Sequence, residues 1–184
     1  FNTDILEIAL SGDFNFFKFQ PDDPQHNFTP YITLGIGVFS YNPYAYLASK
    51  KYYLRPLGTE GQNISYTDAA TGKTRKPYGS MAMCVPIGMG IKYNVNNKFN
   101  ISFQIAQRLT FTDYLDDVSA TYVGSDKFTN PTALALQDRS YEKTANVIGA
   151  EGRQRGWSKQ KDQYVIAEIG ISFNISSYKC PSDF

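Results

Sequence analysis

The stretch Phe99-Asn100-Ile101-Ser102-Phe103-Gln104-Ile105-Ala106-Gln107-Arg108-Leu109-Thr110-Phe111-Thr112 decides the fold. Phe99, Ile101, Phe103, Ile105, Leu109 and Phe111 fall on one side, and Asn100, Ser102, Gln104, Ala106, Arg108 and Thr110 on the other. Gln107 is the one lapse on the apolar side. Successive side chains of a strand point to opposite faces, so this pattern predicts an extended strand with one apolar and one polar face. The same alternation runs through Ile5–Phe17, Thr29–Phe39, Cys84–Tyr93 and Tyr164–Ile175. No comparably long segment repeats with the 3.6-residue period of a helix, so the chain is read as all-β.

The polar faces show which side meets what. Gly35, Gly37, Gly88, Gly90, Gly170, Ala9 and Ala106 stand there with few charges. Small residues make a poor solvated surface but suit the crowded interior of a narrow barrel. The apolar face is therefore expected in lipid. The predicted strands run to about ten residues or more, the length that crosses a bilayer when tilted, whereas globular strands average about 5–6. A closed barrel also pairs every backbone group, as lipid demands.

The connections alternate in length. The one around Pro21-Asp22-Asp23-Pro24 is short, and Asn96-Asn97 reads as a two-residue hairpin. Residues 40–83 and 113–163 form long loops. Short periplasmic turns and long outer loops are the habit of outer-membrane barrels. Five strands do not close a small barrel, and eight is the smallest common closed size. The expectation is an OmpA-like antiparallel transmembrane β-barrel with eight strands in the intact protein and about five in this chain. Residues 1–175 would be its C-terminal part, and residues 176–184 a periplasmic tail.

Composition excludes several classes. Lys plus Arg is 18 and Asp plus Glu is 17 in 184 residues, so there is no basic face for nucleic acid. Aromatics reach 15%, too many for a disordered chain. No run of 18 apolar residues provides a membrane helix. The opening Phe1-Asn2-Thr3-Asp4 lacks the features of an export signal, as a mature or truncated chain would. His26, Cys84 and Cys180 are the only histidine and cysteines, one ligand short of a tetrahedral zinc site made from them alone.

Two loop stretches carry a resemblance. Tyr53-Leu54-Arg55-Pro56-Leu57-Gly58-Thr59-Glu60-Gly61-Gln62 resembles a loop of the PorG-like outer-membrane barrel family of the Bacteroidetes type IX secretion system. Phe111-Thr112-Asp113-Tyr114-Leu115-Asp116-Asp117-Val118-Ser119-Ala120-Thr121-Tyr122-Val123 resembles another. Thr3–Ile8, Phe14–Phe17, Phe28–Tyr31 and Arg155-Gly156 are similar to that family's chain as well. The resemblance implies a non-catalytic barrel in the cell outer membrane. It would anchor the periplasmic ring of the PorK lipoprotein and PorN, beside other subunits of the machine, in some species alongside gliding motility. No cofactor is implied. The tail departs from the family's pattern.

Glu7, Asp13, Lys92, Arg108 and Glu168 share the inferred lumen face and are the first candidate site residues. They are expected to fill it as a paired network with Arg108 as hub, because a guanidinium fork holds two carboxylates. Tyr178, Cys180 and Phe184 in the tail are expected to contact a periplasmic partner, with Cys180 as a candidate tether. Asp113, Asp116 and Asp117, with Glu60 and Asp138, form a carboxylate cluster without calcium-loop spacing. Asp113 and Asp117 are expected to cap backbone and pair with Arg55, Arg139 or Arg155. Gly72-Lys73-Thr74 fails as a phosphate loop because Thr67 stands where glycine is required. With Arg75 and Lys76 it reads as a solvated loop. Tyr41, Tyr44, Tyr46, Tyr93, Phe99, Phe111, Tyr114 and Tyr164 suit interfacial girdles.

Two alternatives stand beside this reading. One is a stand-alone structural or adhesive OmpA-like barrel. The other is a soluble lipocalin-like carrier with an apolar interior, which aqueous solubility without detergent would favour. An enzyme is the least supported, because no histidine pairs with a nucleophile and no strong catalytic motif stands in the sequence.

Overall fold

The computed structural model describes residues 1–20, 23–68, 71–96, 98–145, 147–157 and 159–174. Tyr178, Cys180 and Phe184 lie outside the described residues, as does Asn97 of the expected hairpin. The chain is mostly antiparallel β-sheet with a few short helices. Strands β1 (Ile5–Asn15) and β2 (Phe28–Tyr41) come first. A small hairpin comes next, β3 (Tyr44–Leu47) and β4 (Lys50–Tyr53), leading into the single turn α1 (Leu54–Leu57). Strands β5 (Met81–Asn96) and β6 (Phe99–Thr110) precede α2 (Pro131–Gln137), and β7 (Gln163–Phe173) ends the described part. No helix among the described residues is long and apolar enough to cross a membrane.

The five long strands form one sheet in the order β1-β2-β5-β6-β7. Strand β7 runs antiparallel to β6, with Ile101 opposite Ile171 and Phe103 opposite Ile169 on one face. On the other face Ser102 meets Gly170, Gln104 meets Glu168 and Arg108 meets Tyr164. The turn between β5 and β6 is closed by Asn96, whose side-chain oxygen accepts from the N–H groups of Lys98 at 2.9 Å and Phe99 at 3.0 Å.

Burial along the sheet is inverted. In β2, Thr29, Tyr31 and Thr33 are buried while Ile32, Leu34 and Ile36 are exposed, Leu34 to 61%. In β6, Asn100, Ala106 and Arg108 are buried while Ile101, Phe103 and Ile105 are exposed. Ile169 in β7 is 79% exposed. In a sheet folded around water-excluded hydrocarbon the apolar face would be the hidden one.

By packing, the chain divides into two compact units. The first comprises Phe1–Ile8, Val38–Met83 and Thr110–Asp162, which includes both long connections. The second comprises, of the described residues, Ala9–Gly37, Cys84–Leu109 and 163–174, the body of the sheet. The small hairpin β3–β4 belongs to the first unit, and no turn signal marks it in the sequence. Ala48 and Ser49 both take positive φ, 48° and 65°, as a tight hairpin turn requires, although neither is Gly or Asn. Asn130-Pro131 does signal α2: the Asn130 side chain accepts from the Thr132 N–H at 2.9 Å, and Pro131 occupies the first helical turn.

Candidate functional site

Among the described residues of the first unit, buried polar groups outnumber the apolar ones that cluster as Ala45, Leu54 and Leu136 do, and they make two connected nodes. Leu47, Tyr52 and Leu57 pack against that cluster. Gly58 terminates α1 at φ 71°, and its N–H returns to the carbonyls of Leu54 and Arg55. A side chain there would meet the Asn63 amide at 2.6 Å, so glycine suits the position sterically as well as conformationally. This turn directs Thr59 and Glu60, both fully buried, into the unit.

Arg75 is the hub of the first polar node. One guanidinium nitrogen donates to the Glu60 backbone oxygen at 2.7 Å and to its carboxylate at 3.0 Å. The other donates to the Asp68 carboxylate at 2.6 Å and to the Thr121 carbonyl at 2.5 Å. Glu60 is further bonded by Arg155 and by the hydroxyl and N–H of Ser119. Burial pushes the Glu60 carboxyl up, while Arg155 and Arg75 pull against that rise. Burial also acts on Asp68, but the Thr121 hydroxyl and Arg75 outweigh it and bring its pKa down to about 2. Paired, hydrogen-bonded charges are the form in which ions tolerate an interior.

Asp117 forms a second node. It takes positive φ, 58°, which an aspartate tolerates better than a β-branched residue would. Its carboxylate accepts from the Thr59 hydroxyl and from the Tyr78 hydroxyl, the latter at 2.6 Å. Burial pushes its pKa up to about 7 despite those bonds. The Tyr78 hydroxyl is pushed up by its own burial and by Asp117, so it stays protonated and donates. The Tyr78 ring stacks on Tyr114 at 4.5 Å, nearly parallel, and lies parallel to Tyr41 at 6.3 Å.

These contacts correct several expectations. Asp117 is satisfied by hydroxyls, whereas Arg155 goes to Glu60 and Arg139 to Glu142. Asp138, for which no cap was expected, accepts from the N–H groups of Ser140 at 2.9 Å and Gly149 at 2.7 Å. Asp116 accepts from the Val118 N–H. Lys73, Thr74 and Lys76 are exposed, but Arg75 between them is buried, because an arginine fork finds three acceptor groups behind the loop. Tyr41 and Tyr114 turn into the first unit instead of standing at an interface. Sequence reasoning missed Arg75, Asp68 and Tyr78, whose partners lie up to 53 residues away.

In the second unit the polar face of the sheet carries the expected charges. The Lys92 ammonium lies 2.8 Å from Asp13 and 3.3 Å from the Asn15 side chain, above the Tyr31 ring. The Tyr31 hydroxyl donates to Gln104 at 2.9 Å, and the Gln104 amide donates to Glu168 at 3.1 Å. Arg108, buried, stands 3.6 Å from Glu168. Asp13, Lys92, Arg108 and Glu168 are thus linked through Tyr31 and Gln104 across all five strands, while Glu7 falls in the first unit. Gly90 makes room for this chain, because a Cβ there would meet the Tyr31 ring at 2.6 Å and the Phe103 carbonyl at 2.5 Å.

No curated protein and no solved structure matches the chain. The model of one family, described as a domain of unknown function (DUF6089), matches residues 1–55 and 47–131. The matched stretch holds Glu60, Asp68, Arg75, Tyr78, Asp117 and Thr121, the whole of the two nodes apart from Arg155. With residues 1–131 of 184 covered, the chain belongs to the DUF6089 family.

Proposed function

We propose that this chain forms part of the wall of an outer-membrane β-barrel, with a non-catalytic, structural role in type IX protein secretion. The observation that carries the membrane half is the inverted burial of the sheet. Ile32, Leu34, Ile36, Phe103, Ile169 and Ile171 are exposed while Thr29, Thr33, Asn100 and Arg108 are hidden. Lipid is the solvent for which that arrangement is stable. The long strands have 11, 14, 16, 12 and 11 residues, enough to cross a hydrocarbon core about 30 Å thick at a tilt. Three further strands between the outer edges of β1 and β7 would close an eight-stranded barrel. The soluble-carrier alternative requires the opposite burial.

The secretion half rests on the resemblance of the two loop stretches to the PorG-like family. Their contact in the folded chain supports reading them as one unit: Glu60 of the first is bonded by Ser119 of the second, and Thr59 by Asp117. On this reading the short turns and the tail face the periplasm, where PorK and PorN assemble. The test is affinity purification of the full-length protein from detergent-solubilised outer membranes. Recovery of PorK and PorN at comparable amounts is the expected result. Recovery of the barrel from the outer membrane without either ring subunit would leave a stand-alone structural barrel as the reading.

A further inference from the structure

Beside the Arg75 node the first unit has a cavity of about 400 Å³, the size that takes a small ligand. One wall is the parallel pair Tyr78 and Tyr114. The Tyr78 hydroxyl is fixed by Asp117, so this aromatic wall is held before any ligand arrives. Lys73, Lys76 and Lys161 also line the cavity, all three exposed. Among the described residues, neither Lys73 nor Lys76 is in an ion pair. Arg75 contributes shape rather than free charge, because both of its terminal nitrogens are committed. Of the acids in the lining, Asp68 is paired with Arg75, and burial pushes the Asp113 carboxyl up while Lys161 pulls it down. Thr71 and Thr74 add hydroxyls to the lining.

An ordered aromatic face, two lysines outside any ion pair among the described residues and threonine hydroxyls do not suit an apolar ligand. They suit a polyol that also bears negative charge. The C–H face of a sugar ring is electropositive and packs on the negative face of an aromatic ring. Lysine ammonium groups bond phosphate or carboxylate with charge-assisted strength. We propose that this cavity binds an anionic saccharide, its sugar ring on the face of Tyr114 turned away from Tyr78 and its phosphate or carboxylate between Lys73 and Lys76. Lys161 engages a second acidic group on a longer glycan. Only residues of the first unit are involved, and the binding test does not depend on the secretion role.

Calorimetric titration of the full-length protein, folded in detergent micelles, tests it with glucose 6-phosphate and digalacturonate as probes and with glucose and inorganic phosphate as controls. At least one acidic sugar should saturate, and should bind about tenfold more tightly than either control, as expected when stacking and charge act on one ligand. The surface double variant Lys73→Ala/Lys76→Ala should weaken that sugar by about tenfold and leave the fold intact, since it breaks no pair in the structure. Tyr114→Leu should erase the preference for the acidic sugar over inorganic phosphate. Binding of both acidic sugars no tighter than phosphate, or unchanged by the lysine double variant, overturns the proposal. Vesicles with and without a phosphorylated glycolipid identify the source: lysine-dependent capture by the former assigns the sugar to a membrane glycolipid, and lysine-dependent binding of the soluble sugar alone assigns it to a free glycan.

Discussion

Asp117 is a buried acid with a carboxyl held near pH 7, against an ordinary value of 3.8. A raised acid binds a proton more readily in the folded chain than in the unfolded one. Folding is therefore helped by acid: the gain is full below about pH 4 and disappears as pH rises toward 7. The span corresponds to a change on the order of 4 kcal/mol for a fully buried group. Asp162, raised by burial to about 6, adds in the same direction. Asp68 opposes them only lower down, because its pKa of about 2 makes its contribution present above pH 4 and lost as pH falls toward 2. Amide exchange in the two long connections should accordingly be slowest near pH 4–5, after correction for intrinsic rates, and faster at pH 8. Asp117→Asn should flatten most of that dependence; an unchanged profile would remove Asp117 as its source. Arg75→Met removes a cation from Asp68 and from Glu60, which keeps Arg155, and loss of one partner of a buried pair typically costs about 3–5 kcal/mol. The expected readout is rapid proteolysis within residues 54–80 while the sheet persists.

At the scale of elements, the long strands were legible because period-two alternation is a local signal. Strands β1, β2, β5, β6 and β7 stand where the alternation placed them, to within a few residues at their ends. The hairpin β3–β4 was not legible. Its turn residues Ala48 and Ser49 carry no preference for positive φ, so the turn is imposed by the pairing of Tyr44 with Tyr53 and Leu47 with Lys50. Replacing Ala48-Ser49 by Asn-Gly should stabilise this hairpin by about 1–2 kcal/mol, since left-handed backbone costs an ordinary residue about that much. A lower melting temperature of the double variant would contradict the positive φ values. The face assignment yields a sharper experiment. Phe103→Arg, at the middle of β6, should cost about 2–4 kcal/mol in a phospholipid bilayer if the exposed face meets hydrocarbon. The same change on a water-exposed face would cost little. Reversible unfolding in bilayers that shows no loss for Phe103→Arg would place that face in water.

Across the whole molecule, sequence revealed the charges on the polar face but not their wiring. Asp13, Lys92, Arg108 and Glu168 share a parity, which is visible in a string of letters. Their connection through Tyr31 and Gln104 depends on β2 lying between β1 and β5, which is not. The loop nodes were less legible still, because Glu60, Asp68, Arg75, Asp117 and Thr121 come from different turns and obey no period. If the polar face is the lumen of a narrow barrel, the linked side chains occlude it. Arg108→Met should then lower the stability of the reconstituted protein without creating a conductance, and steady ion current through the wild-type protein in planar bilayers would contradict an occluded interior.

The pairing of residues 120–122 with residues 152–155 has one more consequence. The Tyr122 N–H donates to the Arg153 carbonyl at 2.8 Å and the Arg155 N–H to the Ala120 carbonyl at 2.9 Å, while Arg155 also holds Glu60. Peptide continuity between these stretches is therefore redundant once the chain has folded. A protease that cuts after exposed Lys143 severs one covalent path and leaves several non-covalent ones. The nicked protein should elute as a single species under native conditions and part into two fragments only in denaturant. A surface loop that is clipped yet does not fall open behaves as a dowelled joint, in which the pins outlast the plank.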